Sequence, residues 1–71
     1  MTDFELLNKK IQERGLSMTE LSRRTGILRA TLYNRLAGIG EFTASEIVAL
    51  TKHLELSIEE RDQIFLKEKL H

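Results

Sequence analysis

The sequence predicts an all-α fold, a single compact domain of five short helices over residues 1–71. Three observations lead to this prediction. The chain contains no proline and only four glycines, so few positions break a helix. At four places Ser or Thr stands three residues before Glu, at the start of a helix-like segment. Within these segments apolar residues recur every three or four positions, as in a helix with one buried face.

The four Ser/Thr–Glu pairs have the spacing of capping boxes. In a capping box the hydroxyl accepts a hydrogen bond from the backbone N–H three residues on, and the Glu carboxylate accepts one in return. The pairs predict helix starts at residues 3, 18, 44 and 58. They are Thr2 with Glu5, Ser17 with Glu20, Thr43 with Glu46, and Ser57 with Glu60.

The glycines mark where the first three helices end. Gly15 and Gly26 follow short periodic segments, and glycine readily takes the left-handed conformation found just after a helix. Gly38 and Gly40 flank Ile39, and each would weaken a helix interior by about 1 kcal/mol relative to alanine. The resulting helices are predicted over residues 3–14, 18–25, 29–37, 44–54 and 58–69.

The apolar periodicity also predicts the core. One face of each helix should turn inward, while charged residues cover the other faces. The residues expected inside are Phe4, Leu7, Ile11, Leu21, Ile27, Leu32, Leu36, Ile47, Leu50, Leu54, Ile58, Ile64 and Phe65, with Leu66 and Leu70 as further apolar positions of the last helix.

The charges are balanced overall and divided unevenly along the chain. Eleven Lys and Arg stand against eleven Asp and Glu, which gives a net charge of zero. Residues 1–40 hold seven basic against four acidic residues, net +3, and residues 41–71 hold four against seven, net −3. A surface that attracts phosphate is therefore expected in the first half of the chain.

Several classes of function are not expected. The chain has no cysteine, His53 and His71 lie far apart, and no metal-ligand spacing is recognisable. No catalytic motif occurs, and five short helices leave little room for a substrate cleft, so we expect no enzyme activity, cofactor or small-molecule substrate. A signal-like amino terminus and a membrane-length apolar run are missing, which predicts a soluble cytoplasmic protein.

The segment from Ser17 to Gly38 has the pattern of a helix-turn-helix. It combines a short capped helix, a glycine turn and a second short helix with polar residues on its outer side. The run LSMTELSRRTGILRATLYNRLAG resembles the helix-turn-helix of the phage repressor and Cro (XRE-type) family, and a looser similarity extends over the other helices, including FTASEIVAL. The resemblance implies a lambda-repressor-like fold with helices 2 and 3 as the motif.

The resemblance further implies a sequence-specific DNA-binding transcriptional regulator of the phage or prophage repressor type. Its third helix would enter the major groove of a double-stranded operator, with the amino-terminal half facing the bases. The expected DNA-binding residues are Arg29, Ala30, Thr31 and Asn34 at the bases, Met18 and Thr19 at a phosphate beside the first turn of helix 2, and Tyr33 and Arg35 at the backbone.

The chemistry of these side chains suits base reading. Arg29 can donate two hydrogen bonds to guanine O6 and N7, and Asn34 can pair with adenine N6 and N7. Ala30 or the methyl group of Thr31 can pack on a thymine methyl group. The residues opposite them on the helix, Leu32 and Leu36, are expected in the core.

The family resemblance also implies a homodimer, because relatives usually place two recognition helices one DNA turn apart, about 34 Å. Helix 5 is the candidate contact surface, since it carries more apolar residues than one buried face needs. These residues are Ile58, Ile64, Phe65, Leu66 and Leu70.

Two positions keep an alternative open. Leu28 stands where a Ser or Thr would cap helix 3, and the loop after that helix carries Glu41 without a nearby Lys or Arg. Phosphate would repel Glu41. Together with the zero net charge, these residues favour a second hypothesis, a helix-turn-helix modulator or antirepressor that binds another regulator protein.

Overall fold

The computed structural model of the chain describes residues 2–66. Within that range it contains five helices and no strand, which confirms the all-α prediction. The helices are α1 (Phe4–Glu13), α2 (Met18–Thr25), α3 (Arg29–Leu36), α4 (Ala44–His53) and α5 (Ile58–Phe65). The first four end within one residue of the predicted bounds. The last helix ends at Phe65, and its predicted residues 67–69 and Leu70 lie outside the described range.

Two helices begin with the complete capping box that the sequence predicts. The Thr43 hydroxyl accepts a hydrogen bond from the Glu46 N–H at 3.2 Å, and the Glu46 carboxylate accepts one from the Thr43 N–H at 2.9 Å. Ser57 and Glu60 form the same pair of bonds at 3.1 and 2.8 Å. These bonds satisfy N–H groups that the first turn of a helix leaves without an intrahelical partner.

The other two predicted boxes differ. The prediction of a box at Thr2 and Glu5 is wrong, because the Asp3 carboxylate caps α1 by accepting from the Leu6 N–H at 3.1 Å. At α2, Ser17 accepts from the Glu20 N–H at 3.1 Å as predicted, but the Glu20 carboxylate pairs with Arg23 instead. An aspartate is as good a cap as Ser, and an arginine offers a carboxylate a charged donor.

One core lies between the helices. Its buried side chains are Leu7, Ile11, Leu21, Ile27, Leu32, Leu50, Leu54, Ile64 and Phe65. Leu36 and Ile47 are half-buried and pack against it, and Phe4 is half-buried. The prediction for Ile58 is wrong, since this first residue of α5 is 66% exposed. It stands at the amino-terminal end of α5, about two turns before Phe65, where the core no longer covers the helix.

The packing of the helices leaves one side of α3 free. α2 packs against α3 and α4, while α5 packs against α1 and α4. Side chains join the more distant parts: Lys10 of α1 bonds Glu60 of α5, and Arg14 donates to the Leu54 carbonyl at the end of α4 at 2.8 Å. α3 therefore lies at the edge of the molecule, with α2 as its main neighbour.

Candidate nucleic-acid interface

A short turn fixes the angle between α2 and α3. Gly26 has a φ of 76°, and its N–H donates to the Ser22 carbonyl at 2.9 Å. The Ser22 hydroxyl donates to the Ile27 carbonyl at 2.6 Å, and the Ile27 side chain is buried in the core. Because the turn is held by hydrogen bonds and by an apolar anchor, the two helices form one rigid unit.

The inner side of α3 is anchored in the core. Leu32 is fully buried and Leu36 is half-buried against the same cluster. The outer side faces solvent over the whole length of the helix. Its exposed residues are Arg29, Ala30, Tyr33 and Asn34, four of the predicted site residues, and Thr31 beside them is half-buried. Their spacing places all four exposed residues within one face of the helix.

Arg29 and Thr19, two of the predicted site residues, are in contact. Nη1 of Arg29 donates a hydrogen bond to Oγ1 of Thr19 at 3.1 Å, from the first turn of α3 to the first turn of α2. Both residues are exposed. The bond restricts the rotamers of a long side chain and directs its guanidinium toward the edge that the two helices share.

Met18 is placed differently from the exposed residues. Its side chain is half-buried and packs against the core, so it is not directed into solvent. Met18 is the first residue of α2, and Ser17 before it caps the helix through the Glu20 N–H. A contact of Met18 with a phosphate would therefore use its backbone N–H group, at the positive end of the helix.

The acidic residue at the start of α2 moderates the positive charge of this surface. Glu20 accepts from Arg23 at 2.7 Å and lies 3.6 Å from Nε of Arg24. The hydrogen bond from Arg23 and the charge of Arg23, followed by the charge of Arg24, lower the pKa of the Glu20 carboxyl, and the same bond raises the pKa of Arg23. Glu20 is thus ionised at neutral pH and partly neutralises two cations.

Arg35 does not join the exposed face of α3. Its side chain is only 22% exposed, and Nε donates to Oε1 of Glu46 in α4 at 3.3 Å. A second nitrogen, Nη1, donates to the Ile39 carbonyl at 3.4 Å. The sequence prediction assigned Arg35 to the DNA backbone, whereas the structure turns its guanidinium toward α4.

Leu28 is an exposed residue. The sequence prediction noted it only because it stands where a Ser or Thr would cap α3. It precedes α3 without forming a side-chain cap, and 73% of its surface is exposed. Arg29 and Ala30, the next two residues, are exposed as well. An apolar side chain at this tip cannot hydrogen-bond the helix end, and it adds an exposed apolar group beside the polar face of α3.

Two further features were sought in the part of the chain that the structure describes, a cluster of metal-ligating side chains and a membrane-spanning helix. Among residues 2–66, no three histidine, aspartate or glutamate side chains come together as a metal site requires. None of the helices within that range is both long and apolar enough to cross a membrane.

The fold and the site together define a class of protein. An all-α domain with a rigid helix pair, whose second helix is anchored by leucines inside and presents polar residues outside, is a helix-turn-helix domain. A family model described as helix-turn-helix matches residues 7–61, most of the chain. The chain therefore belongs to the repressor/Cro-like helix-turn-helix family of DNA-binding regulators. No individual curated protein and no solved structure shows significant similarity to it.

Proposed function

We propose that the chain is a sequence-specific transcriptional regulator of the phage or prophage repressor type, which acts in the cytoplasm by laying α3 in the major groove of an operator. The observation that carries this proposal is the outer side of α3. There Arg29, Ala30 and Asn34 are exposed together, and Arg29 is held by Thr19. No catalytic group or cofactor has a part in it.

Each residue of this face has a proposed role. Arg29 donates to guanine O6 and N7, and Asn34 pairs with the N6 and N7 edge of adenine. Ala30 and the methyl group of Thr31 pack on thymine methyl groups. Leu28, exposed beside them, extends the apolar part of the face. Each good bidentate contact would discriminate between bases by about 1–3 kcal/mol.

The backbone contacts would come from both helices. The N–H groups in the first turn of α2, at Met18 and Thr19, lie at the positive end of the helix dipole and would receive a phosphate. Tyr33, which is 56% exposed on α3, would reach a phosphate from the other side of the groove. These contacts set the position of α3 on the duplex without reading its sequence.

We also propose a homodimer, because one chain reads a single half-site. The surface on α5 is smaller than the sequence suggested, since Ile64 and Phe65 belong to the core. Ile58, the first residue of α5, and Leu66, which follows its last residue, remain exposed. Sedimentation equilibrium on the free protein and on its DNA complex tests this part of the proposal.

A second candidate function is a modulator that binds another regulator protein. The observation that favours it is that several arginines form ion pairs with glutamates. Glu20 pairs with Arg23 and Arg24, and Glu46 pairs with Arg35. Glu41, which is exposed in the loop after α3, would also repel phosphate. Fewer free cations mean less counterion release on binding DNA.

Selection of bound sequences from a random duplex pool tests the first candidate. We expect an enriched motif, with two half-sites if the protein dimerises. A titration over salt concentration should then show binding that weakens as salt rises, since phosphate contacts release counterions. If the folded protein enriches no duplex at low ionic strength, that result would contradict DNA binding and favour the modulator.

A further inference from the structure

Arg35 links α3 to the first turn of α4. Nε of Arg35 donates to Oε1 of Glu46 at 3.3 Å, and the same carboxylate oxygen accepts the Thr43 N–H at 2.9 Å. The side chains of Arg35 and Glu46 are 22% and 15% exposed. One carboxylate thus caps α4 and holds α3 at once, in a partly desolvated position where a charged hydrogen bond is stronger than at the surface.

The loop between the two helices is shaped around this guanidinium. Nη1 donates to the Ile39 carbonyl at 3.4 Å, and a Cβ atom on Gly40 would lie 2.5 Å from Nη1. Gly40 has a φ of 76°, a conformation that favours glycine, and any larger side chain there would have to push the Arg35 guanidinium aside. Gly15 has a similar φ of 67°, but nothing lies within 4 Å of the corresponding Cβ position.

This link matters because it holds the end of α3 that lies away from the turn with α2. Its amino-terminal end has no side-chain cap, and α2 is the helix on which it mainly packs. Arg35 lies in the last turn of α3 and connects that turn to both the following loop and α4. Glu46, the residue that also caps α4, and the Ile39 carbonyl thus direct the guanidinium toward α4 and the loop.

We propose that Arg35 is a positioning residue, which sets the orientation of α3 through Glu46 and the Ile39 carbonyl and is not a ligand of DNA phosphate. The proposal rests on the proposed DNA-binding function, because it concerns how the reading helix is held. Through Arg35 the fit between the bases and residues such as Arg29 depends on α4, which does not carry the predicted base-reading residues.

The first experiment moves the guanidinium without changing any charge. Gly40→Ala displaces Arg35, and Gly15→Ala is the matched control with the same backbone strain and open space. We expect Gly40→Ala to weaken binding to the selected operator about tenfold more than Gly15→Ala, the effect of losing roughly one base contact. An Arg35 freed to bind phosphate would instead leave affinity unchanged or raise it, which would overturn the proposal.

The second experiment removes the charge. For Arg35→Gln we expect weaker binding to the operator but an unchanged salt dependence, because no phosphate contact is lost. A plot of the logarithm of the binding constant against the logarithm of the salt concentration has a slope of about −0.9 for each phosphate contact. A slope shallower by about 0.9 in Arg35→Gln would identify Arg35 as a phosphate ligand and overturn the proposal. In the Arg35→Gln background, Gly40→Ala should weaken binding no more than Gly15→Ala does, whereas a full additional loss would show that Gly40 acts on its own and would overturn the proposal.

A third measurement separates this proposal from the function on which it rests. If the folded wild-type protein binds no duplex, the proposed function fails, and urea unfolding of Arg35→Gln, Glu46→Gln and the double variant still tests the link. Non-additive effects on stability would support it, and additive effects would overturn it. In the binding experiments, each variant is compared at a temperature where circular dichroism shows it to be folded.

Discussion

Glu55 holds a backbone conformation that its side chain disfavours. Among residues 2–66 it is the one residue other than glycine with a positive φ, 53°, and it follows the last turn of α4. The N–H groups of Glu55 and Leu56 donate to the Lys52 and Thr51 carbonyls at 3.2 and 2.9 Å, the pair of bonds that closes a helix at a left-handed residue. Such a conformation costs an ordinary residue roughly 1–2 kcal/mol.

Glu55→Gly should therefore stabilise the protein. We expect the free energy of unfolding to rise by about 1 kcal/mol, because the relief of backbone strain exceeds the entropy that glycine adds to the unfolded chain. The lost ion pair with Arg14 is exposed and contributes little. Urea denaturation measures the change, and Glu59→Gly in the first turn of α5 is the control that should lower stability. A loss of stability in both variants would contradict the backbone strain that we assign to Glu55.

Among the elements, α3 is the helix that local interactions support least. The other four helices each begin with a side-chain cap, at Asp3, Ser17, Thr43 and Ser57. Before α3 stands Leu28, whose side chain makes no capping bond. The first N–H groups of this helix thus receive no side-chain cap, at the end that we propose meets the bases.

Leu28→Ser supplies the missing cap. We expect the free energy of unfolding to rise by about 1 kcal/mol, since a serine hydroxyl can accept a hydrogen bond from an N–H in the first turn. Leu28 is largely exposed, so its removal costs little packing. Leu28→Ala is the matched control, which removes the same side chain without adding an acceptor. Equal stability changes in the two variants, measured by urea unfolding, would show that no cap forms.

The sequence predicts well the features that local chemistry controls. Starts at Ser17, Thr43 and Ser57 follow from an acceptor placed three residues before a Glu, and the turn at Gly26 follows from a residue that tolerates positive φ. The start of α1 was misplaced by one residue because Thr2 and Asp3 are both good caps. Neighbouring candidates of similar strength cannot be ranked from spacing alone.

Features that depend on contacts between distant residues were not predictable. The partner of Arg35 is Glu46, eleven residues away and on another helix, and only the packing of the loop brings them together. Ile58 was expected inside because it is apolar, but it stands at the exposed amino-terminal end of α5, beyond the part of the helix that the core covers. Residue type indicates what a side chain prefers, and the tertiary arrangement decides what it meets.

At the scale of the whole molecule, an ion pair joins the first helix to the last. Lys10 of α1 donates to the Glu60 carboxylate of α5, which also accepts the Ser57 N–H at 2.8 Å. The bond from Lys10, followed by the bond from Ser57, lowers the pKa of Glu60 from 4.5 to about 2. The ionised carboxylate is therefore favoured in the folded state.

Stability should fall in acid as this carboxylate is protonated. Because the folded pKa lies below the unfolded one, the contribution of Glu60 is complete above pH 4.5 and is lost as the pH falls from there to about 2. We expect the urea midpoint of the wild type to drop over this range and the drop to be smaller in Glu60→Gln. Lys10→Gln should also reduce the drop in the urea midpoint. An unaltered pH dependence in Lys10→Gln would contradict the bond from Lys10 as the cause of the lowered pKa of Glu60.

The central claim is that the outer side of α3 reads bases. The measurement that tests it most directly is the affinity of the wild type and of Arg29→Ala for the selected operator and for each of its single-base variants. Arg61→Ala on α5, which packs against α1 and α4, is the control. We predict that Arg29→Ala relaxes the preference at one guanine by about 1–3 kcal/mol and leaves the other positions unchanged. An equal loss of affinity on every sequence would contradict the claim.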